Sequence, residues 1–94
     1  MTEHQIAFGE TFDEDFSYVK QYIIDNGFDE NIPQKIIDEI TDRLERFPNI
    51  GEVYSSDIRK ITIMRKNVVY YRVQSNQIQV LHIKSGLQSK KISK

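Results

Sequence analysis

A change of hydrophobic period near residue 50 limits this 94-residue chain to one class of fold. Before that point apolar residues recur every three or four positions, and beyond it they alternate with polar residues. The first spacing is that of a helix face, and the second is that of a half-buried strand. Helices followed by paired strands predict an α+β fold. The length fits one domain, residues 1–94, in which 84–94 form a polar basic tail.

Two amphipathic helices are predicted in the first half. Thr11 opens a Thr-Phe-Asp-Glu sequence typical of a capping box, and Asn26-Gly27 is a stop signal. Asn31 is the expected N-cap of the second helix, which Pro48 ends because the residue before a proline disfavours helical conformation. The short link between the helices predicts an antiparallel hairpin. The apolar stripes are Phe12, Phe16, Val19 and Ile23 in the first helix, and Ile32, Ile36, Ile37, Ile40, Leu44 and Phe47 in the second.

Strands are predicted on both sides of this hairpin. A short one covers Gln5–Phe8, and three longer ones cover Ile58–Met64, Val68–Val73 and Gln77–Ile83. The connectors between the last three are brief and polar, which indicates β-hairpins. The expected order is β-α-α-β-β-β, with the helical hairpin packed on one face of a three- to four-stranded antiparallel sheet.

One face of this sheet is expected to stay uncovered. If Ile61, Ile63, Val69 and Tyr71 point to the helices, then Lys60, Thr62, Tyr70 and Arg72 point away. The last strand fits either parity, with Ile78, Val80 and His82 inward or Leu81 and Ile83 inward. The second parity is favoured and places His82 on the uncovered face. Basic and aromatic side chains on one face could bind a phosphate backbone and stack bases.

Ordinary structural roles are also open for these side chains. Arg59 would form an ion pair with an acidic residue of the helices, and Lys60 and Arg72 would be solvated surface charges. Tyr70 and Tyr71 would be core or rim aromatics, and His82 a half-buried strand residue.

The net charge of −1 conceals two oppositely charged halves. Residues 1–50 carry twelve acidic and four basic side chains, whereas residues 51–94 carry two acidic and nine basic ones. Such asymmetry indicates either a polyanion-facing or acidic-partner-facing second half, or acidic helices that attract a basic sheet.

Several classes of protein are excluded by what the sequence lacks. There is no cysteine, so disulfides, thiolate metal sites and cysteine nucleophiles are excluded. The longest apolar run, Val68–Tyr71, is too short to span a membrane, and the first residues do not resemble a signal peptide. A cytoplasmic protein is therefore expected. No metal or cofactor is expected, because His4 and His82 are far apart in the sequence and no phosphate-binding loop occurs.

Four segments in order resemble the RelE/ParE toxin superfamily of type II toxin–antitoxin systems, which includes plasmid stabilisation proteins. They are a Leu-x-x-Phe-Pro-like helix end with the following loop (Leu44–Gly51), a strand opening with arginine (Ile58–Ile61), a Tyr-Arg-Val strand (Val69–Val73) and a closing apolar strand (Ile78–Ile83). The resemblance covers nearly the whole chain, and its order of elements matches the order that the hydrophobic periods predict.

The resemblance implies a growth-inhibiting toxin that a cognate antitoxin neutralises. Members of the RelE branch cut ribosome-bound mRNA with a cluster of Lys, Arg and a late Tyr or His, whereas the ParE branch inhibits DNA gyrase. For a nuclease, the implied catalytic residues are Arg59, Arg72 and His82. Residues implied in nucleic-acid or partner binding are Lys60, Arg65, Lys66, Tyr70 and Lys84. A homodimer or a toxin–antitoxin hetero-oligomer is also expected.

The end of the chain departs from the nuclease pattern of the family. Leu87 and Gln88 stand where an arginine is expected, and no tyrosine follows Tyr71. Cleavage of RNA by general acid–base catalysis needs a proton donor, a proton acceptor and a cation on the phosphate. The sequence therefore favours a ParE-like inhibitor, with a RelE-type endoribonuclease and a non-toxic binding module of the same fold as alternatives.

Overall fold

The structure, a computed structural model, describes residues 5–85. Its elements in chain order are β1 (Gln5–Phe8), α1 (Glu10–Asp25), α2 (Ile32–Arg46), β2 (Glu52–Ser55), β3 (Ile58–Ile63), β4 (Asn67–Val73) and β5 (Gln77–Ser85). This is the predicted α+β class, with the helical hairpin before the main strands.

The sheet has five strands in the order β1-β5-β4-β3-β2 and is mixed rather than wholly antiparallel. β1 runs parallel to β5, while β2, β3, β4 and β5 form an antiparallel meander. The expected three or four antiparallel strands were therefore too few. The sequence prediction missed β2 because all four of its residues are exposed and show no alternation.

Both helices pack on one face of the sheet and form the core with it. Buried side chains come from each predicted stripe, and those of α2 are Ile36, Ile40 and Leu44. Phe47, predicted to continue that stripe, is instead 57% exposed. The reason is that α2 ends at Arg46, and the backbone of Phe47 (φ −136°, ψ 75°) leaves the helical path.

The predicted helix starts are partly corrected. Glu10 rather than a residue after Thr11 begins α1, and no side chain caps it. Gly9 holds the N-cap position because its N–H still donates to the Val80 carbonyl at 3.0 Å, as a continuation of β1. Asn31 is the N-cap of α2 as predicted, although its side chain makes no capping hydrogen bond.

A β-bulge in β5 resolves the ambiguous parity of the last strand. Tyr70 pairs with His82 and Tyr71 pairs with Val80, so Leu81 is the extra residue between them. Val80 and Ile83 are both buried as a result, while Leu81 is only half-buried and His82 is exposed. The inward prediction was right for Ile83 and wrong for Leu81. Of the predicted tail, residues 84 and 85 belong to β5, and 86–94 lie outside the described residues.

Candidate functional site on the open sheet face

Three predicted site residues form one row across the face that the helices leave open. Lys60 of β3 pairs with Tyr70 of β4, which pairs with His82 of β5. Paired residues point to the same face, and neighbouring strands lie about 4.8 Å apart. The row therefore places the Cα atoms of a lysine, a tyrosine and a histidine within about 10 Å of one another and directs their side chains to one face.

Aromatic and basic side chains around this row form a shallow hollow of about 240 Å³. This open-face hollow is lined by Tyr54, Ile58, Tyr70, His82 and Lys84. The two tyrosine rings meet edge to face with centroids 4.9 Å apart. Lys84 Nζ lies 5.9 Å from the centroid of the Tyr70 ring. The hollow thus offers ring surface beside a cation, a combination suited to a base and its phosphate.

His82 is held at the rim of this hollow by a carboxylate of α1. Asp15 Oδ2 lies 3.3 Å from His82 Nδ1 and accepts the backbone N–H of Ile83, also at 3.3 Å. β1 pairs only with residues 77–80 of β5, so the edge of β5 beyond them is free for Asp15 to reach. The Tyr70 ring stands nearly perpendicular to the imidazole, with centroids 6.4 Å apart.

Arg72 lies on the open face as predicted, but its guanidinium is already in contact with protein groups. Its Nε is 3.0 Å from Asp57 Oδ2, an ion pair without the alignment of a hydrogen bond. Its Nη1 donates to Gln79 Oε1 at 3.4 Å.

Carboxylates accompany most of the basic groups on this face. Lys60 Nζ is 3.7 Å from Glu52 Oε2, Arg72 is paired with Asp57, and His82 is paired with Asp15. Within residues 5–85, Lys84 has no carboxylate in ion-pair range. The open face is therefore much closer to neutral than its basic residues alone suggest.

Arg59 does not belong to the open face. It pairs across the sheet with Tyr71, whose side chain is buried in the core. Its Nη1 donates to the carbonyl of Gly51 at 2.7 Å and to that of Asn49 at 3.3 Å. The predicted ion pair with a helix acid is thus replaced by hydrogen bonds to the loop after α2, and Arg59 is not brought together with Arg72 and His82.

Comparison with known proteins gives a fold but no family model. No family model and no curated protein matches the sequence. Among solved structures, the chain is similar to one from the chromosomal ParDE toxin–antitoxin system of P. aeruginosa, with a TM-score of 0.67 and 20% identity over 87% of this chain and 95% of that one. It has the RelE/ParE toxin fold.

Two further structures support this assignment. The RelBE2 toxin–antitoxin complex from Mycobacterium tuberculosis matches with a TM-score of 0.67 and 12% identity, over 89% of this chain and 99% of that one. The YoeB dimer from Staphylococcus aureus matches with a TM-score of 0.60 and 21% identity, over 86% and 94%. The RelE/ParE fold thus accounts for nearly the full length of each chain compared.

The two remaining predicted binding residues lie at one end of this RelE/ParE fold. Arg65 and Lys66 are exposed on the β3–β4 turn, which Met64 (φ 52°) and Arg65 (φ 75°) close in left-handed conformations. Neither contributes to the open-face hollow.

Three residues of the site were not predicted. Tyr54 lies on the missed strand β2, although its position between Gly51 and a Ser-Ser-Asp turn is typical of a short strand. Ile58 belongs to the predicted strand but was not assigned to the open face. Asp15 was counted only as one of the twelve acidic residues of the first half.

Two further observations concern metals and membranes. Residues 5–85 contain no group of three or more His, Asp or Glu side chains placed to hold a metal ion. Within the same range, no helix is both long and apolar enough to cross a membrane.

Proposed function

We propose that this protein is the toxin component of a type II toxin–antitoxin module, a ParE-like growth inhibitor that a cognate antitoxin neutralises. The fold supports this proposal: the similar structures from P. aeruginosa and M. tuberculosis are described as toxin–antitoxin systems and cover nearly the whole chain. Because the ParDE and RelBE2 structures have the same TM-score, fold similarity does not favour one mechanism over the other.

The ParE-like mechanism is favoured by the state of the basic side chains. Arg59 holds a loop, and Lys60, Arg72 and His82 each face a carboxylate. A nuclease needs cations or hydrogen-bond donors that are free to meet the charge that develops on the phosphate, and among the basic side chains of this face within residues 5–85 only Lys84 lacks a carboxylate in ion-pair range. An inhibitor that binds a protein such as DNA gyrase does not need such a charge.

Exposed apolar side chains provide a surface for the antitoxin. Phe47, Ile50, Val53 and Tyr54 are all exposed along one stretch of chain that leads from α2 into the edge strand β2. Exposed apolar groups of this kind mark protein-binding surfaces. Cytoplasmic location, homodimerisation and the identity of the target remain predictions.

Controlled expression in a bacterial host tests the proposal. Expression of the protein alone is expected to stop growth with intact mRNA, and co-expression of the reading frame adjacent to its gene is expected to restore growth. Purified protein is expected to inhibit supercoiling by DNA gyrase. Unimpaired growth under confirmed expression of folded protein would contradict a toxin role.

An endoribonuclease is the second candidate function, and one observation favours it. The imidazole of His82 is held by Asp15 beside Tyr70 and Lys84, which brings a titratable group, ring surface and a cation to one hollow. An imidazole is the side chain best suited to proton transfer near neutral pH.

Primer-extension mapping of cellular mRNA after induction separates the two candidates. Cleaved mRNA with loss of protein synthesis would support the nuclease, and His82→Gln and Lys84→Ala would then reduce cleavage. Lys35→Ala is a matched control for Lys84→Ala, because Lys35 is an exposed lysine on α2 away from the open face. Filamentation with uncleaved mRNA would support the gyrase inhibitor.

A further inference from the structure

We propose that Asp15 is a positioning residue for His82: it holds Nδ1 of the imidazole and leaves Nε2 to accept a hydrogen bond from a ligand hydroxyl in the open-face hollow. This inference deepens the second candidate function and rests on it for the nature of the ligand, a ribonucleotide chain. The position of the ring itself does not depend on that function.

The first step concerns where the carboxylate comes from. Asp15 lies on α1, which packs on the opposite side of the sheet from the hollow, yet its Oδ2 reaches both Ile83 N–H and His82 Nδ1. The backbone contact fixes the carboxylate at the free edge of β5. Asp15 is therefore anchored independently of His82 and provides a fixed reference for the ring.

The second step concerns the tautomer. A carboxylate oxygen only accepts hydrogen bonds, so a neutral imidazole that bonds to it must carry its proton on Nδ1. Nε2 is then unprotonated and acts as an acceptor. Within residues 5–85, the hydrogen bonding of this ring uses Nδ1 alone.

The third step concerns the ligand group that would donate a hydrogen bond to Nε2. His82 lines the hollow together with Tyr54, Tyr70 and Lys84, whose groups suit a base and a phosphate. An acceptor beside such groups suits the hydroxyl of a ribose, since the 2′-hydroxyl is what distinguishes RNA from DNA at a site. The β-bulge at Leu81 is what turns His82 towards this face while Val80 and Ile83 stay in the core.

Nitrogen NMR of the imidazole tests the tautomer directly. A His4→Gln background leaves His82 as the single imidazole, and the nitrogen chemical shifts of the neutral ring distinguish its two tautomers. The expected result is the Nδ1–H tautomer in the parent and a shift towards the Nε2–H tautomer in Asp15→Ala. Asp13→Ala is the matched control, because Asp13 is an exposed aspartate in the first turn of the same helix. An Nε2–H tautomer in the parent, or no change in folded Asp15→Ala, would overturn the proposal.

Binding and cleavage of a single-stranded RNA oligonucleotide provide the second readout. Asp15→Ala and His82→Gln are each expected to weaken binding of RNA relative to DNA of the same sequence by about tenfold, whereas Asp13→Ala leaves the ratio unchanged. An unchanged ratio in folded Asp15→Ala would overturn the role of Nε2 as acceptor. If the parent neither cuts RNA nor prefers it to DNA, the endoribonuclease candidate and the ligand assignment both fail. The NMR result alone then decides the positioning role.

Discussion

The phenol oxygen of Tyr71 accepts the backbone N–H of Gly51 at 2.9 Å inside the core. Gly51 ends the loop after α2, and a Cβ atom at this position would lie 2.7 Å from the Lys60 carbonyl oxygen and 2.8 Å from the Tyr71 oxygen. Arg59 donates to the carbonyl of the same residue, which belongs to the following peptide group. The Phe-Pro-Asn-Ile-Gly loop, the Arg strand and the Tyr-Arg-Val strand are therefore joined at one glycine.

Gly51→Ala is expected to destabilise the protein by about 2–3 kcal/mol, because the added methyl group overpacks a site closed by backbone and a buried ring. Chemical denaturation measures the loss. Gly27→Ala is a useful contrast, since no atom lies within 4 Å of a Cβ there and the cost comes from its positive φ of 72° alone. Equal stability of Gly51→Ala and the parent would contradict the close packing at this loop.

Tyr71→Phe is expected to cost about 1–3 kcal/mol near neutral pH, because the Gly51 N–H loses its acceptor in a buried position. Burial raises the pKa of Tyr71 above its usual value of 10.0, although the Gly51 hydrogen bond and the Arg59 charge partly oppose the shift. The native state therefore retains the phenol proton more tightly than the unfolded chain does. This stabilisation is complete below pH 10 and is lost as pH rises from there through the folded pKa.

The free energy of unfolding of both proteins between about pH 8 and pH 11 checks this sign. The parent is expected to exceed Tyr71→Phe by a constant amount up to about pH 10, after which the difference narrows. Other tyrosines and lysines titrate in both proteins, so the difference isolates Tyr71. If the difference in free energy of unfolding stays constant or widens above pH 10, burial does not raise the pKa of Tyr71.

Much of the fold could be predicted because its hydrophobic periods are strong. The stripes of α1 and α2 and the alternation in β3 and β4 each bury one face, and the observed core follows them. Two features could not be predicted, because neither gives a regular apolar period in the sequence. β2 buries no side chain, and the bulge at Leu81 changes the parity of β5 within one strand.

The site was less predictable than the fold, because its key contacts join distant elements. The contact between Asp15 and His82 spans 67 positions, and only tertiary structure brings the end of β5 beside α1. The pairing of Arg72 with Asp57 likewise depends on the β2–β3 turn, which follows the missed strand. The type of a residue and its position in the strand alternation predict which face of the sheet it occupies. Its contacts could not be predicted, because they depend on how the helices and turns pack.

Arg59→Ala is expected to destabilise the protein by about 1–3 kcal/mol, because two loop carbonyls lose a charged donor. Arg59→Lys is expected to recover only part of this loss, since the rigid, planar guanidinium whose Nη1 donates to both carbonyls is replaced by a more strongly hydrated ammonium on a flexible stem. Thermal denaturation is expected to show that the parent is the most stable of the three proteins, followed by the lysine variant and then the alanine variant. A lysine variant as stable as the parent would indicate that charge rather than geometry matters at this position.

The carboxylates of the open face are expected to limit its affinity for polyanions. Glu52 lies near Lys60, and Asp57 pairs with Arg72, while both acids are largely exposed. Glu52→Gln with Asp57→Asn is therefore expected to change stability by less than about 1 kcal/mol, as for other exposed ion pairs. The same variant is expected to bind heparin or single-stranded RNA about three- to tenfold more tightly at low salt and with a steeper salt dependence, because more cations are free to meet phosphate or sulfate.

A control with the same change of net charge separates the open face from the molecule as a whole. Asp13→Asn with Glu45→Gln removes two exposed carboxylates from the helices and leaves the pairs of Lys60 and Arg72 intact. At moderate salt, electrostatic interactions between exposed charges are screened beyond about 10 Å. Once salt is raised, this control is therefore expected to change the affinity for polyanions much less than the open-face variant does. If both variants gain affinity equally at every salt concentration, net charge alone controls polyanion binding. If only the open-face variant gains affinity, the carboxylates of the open face limit polyanion binding by its basic residues.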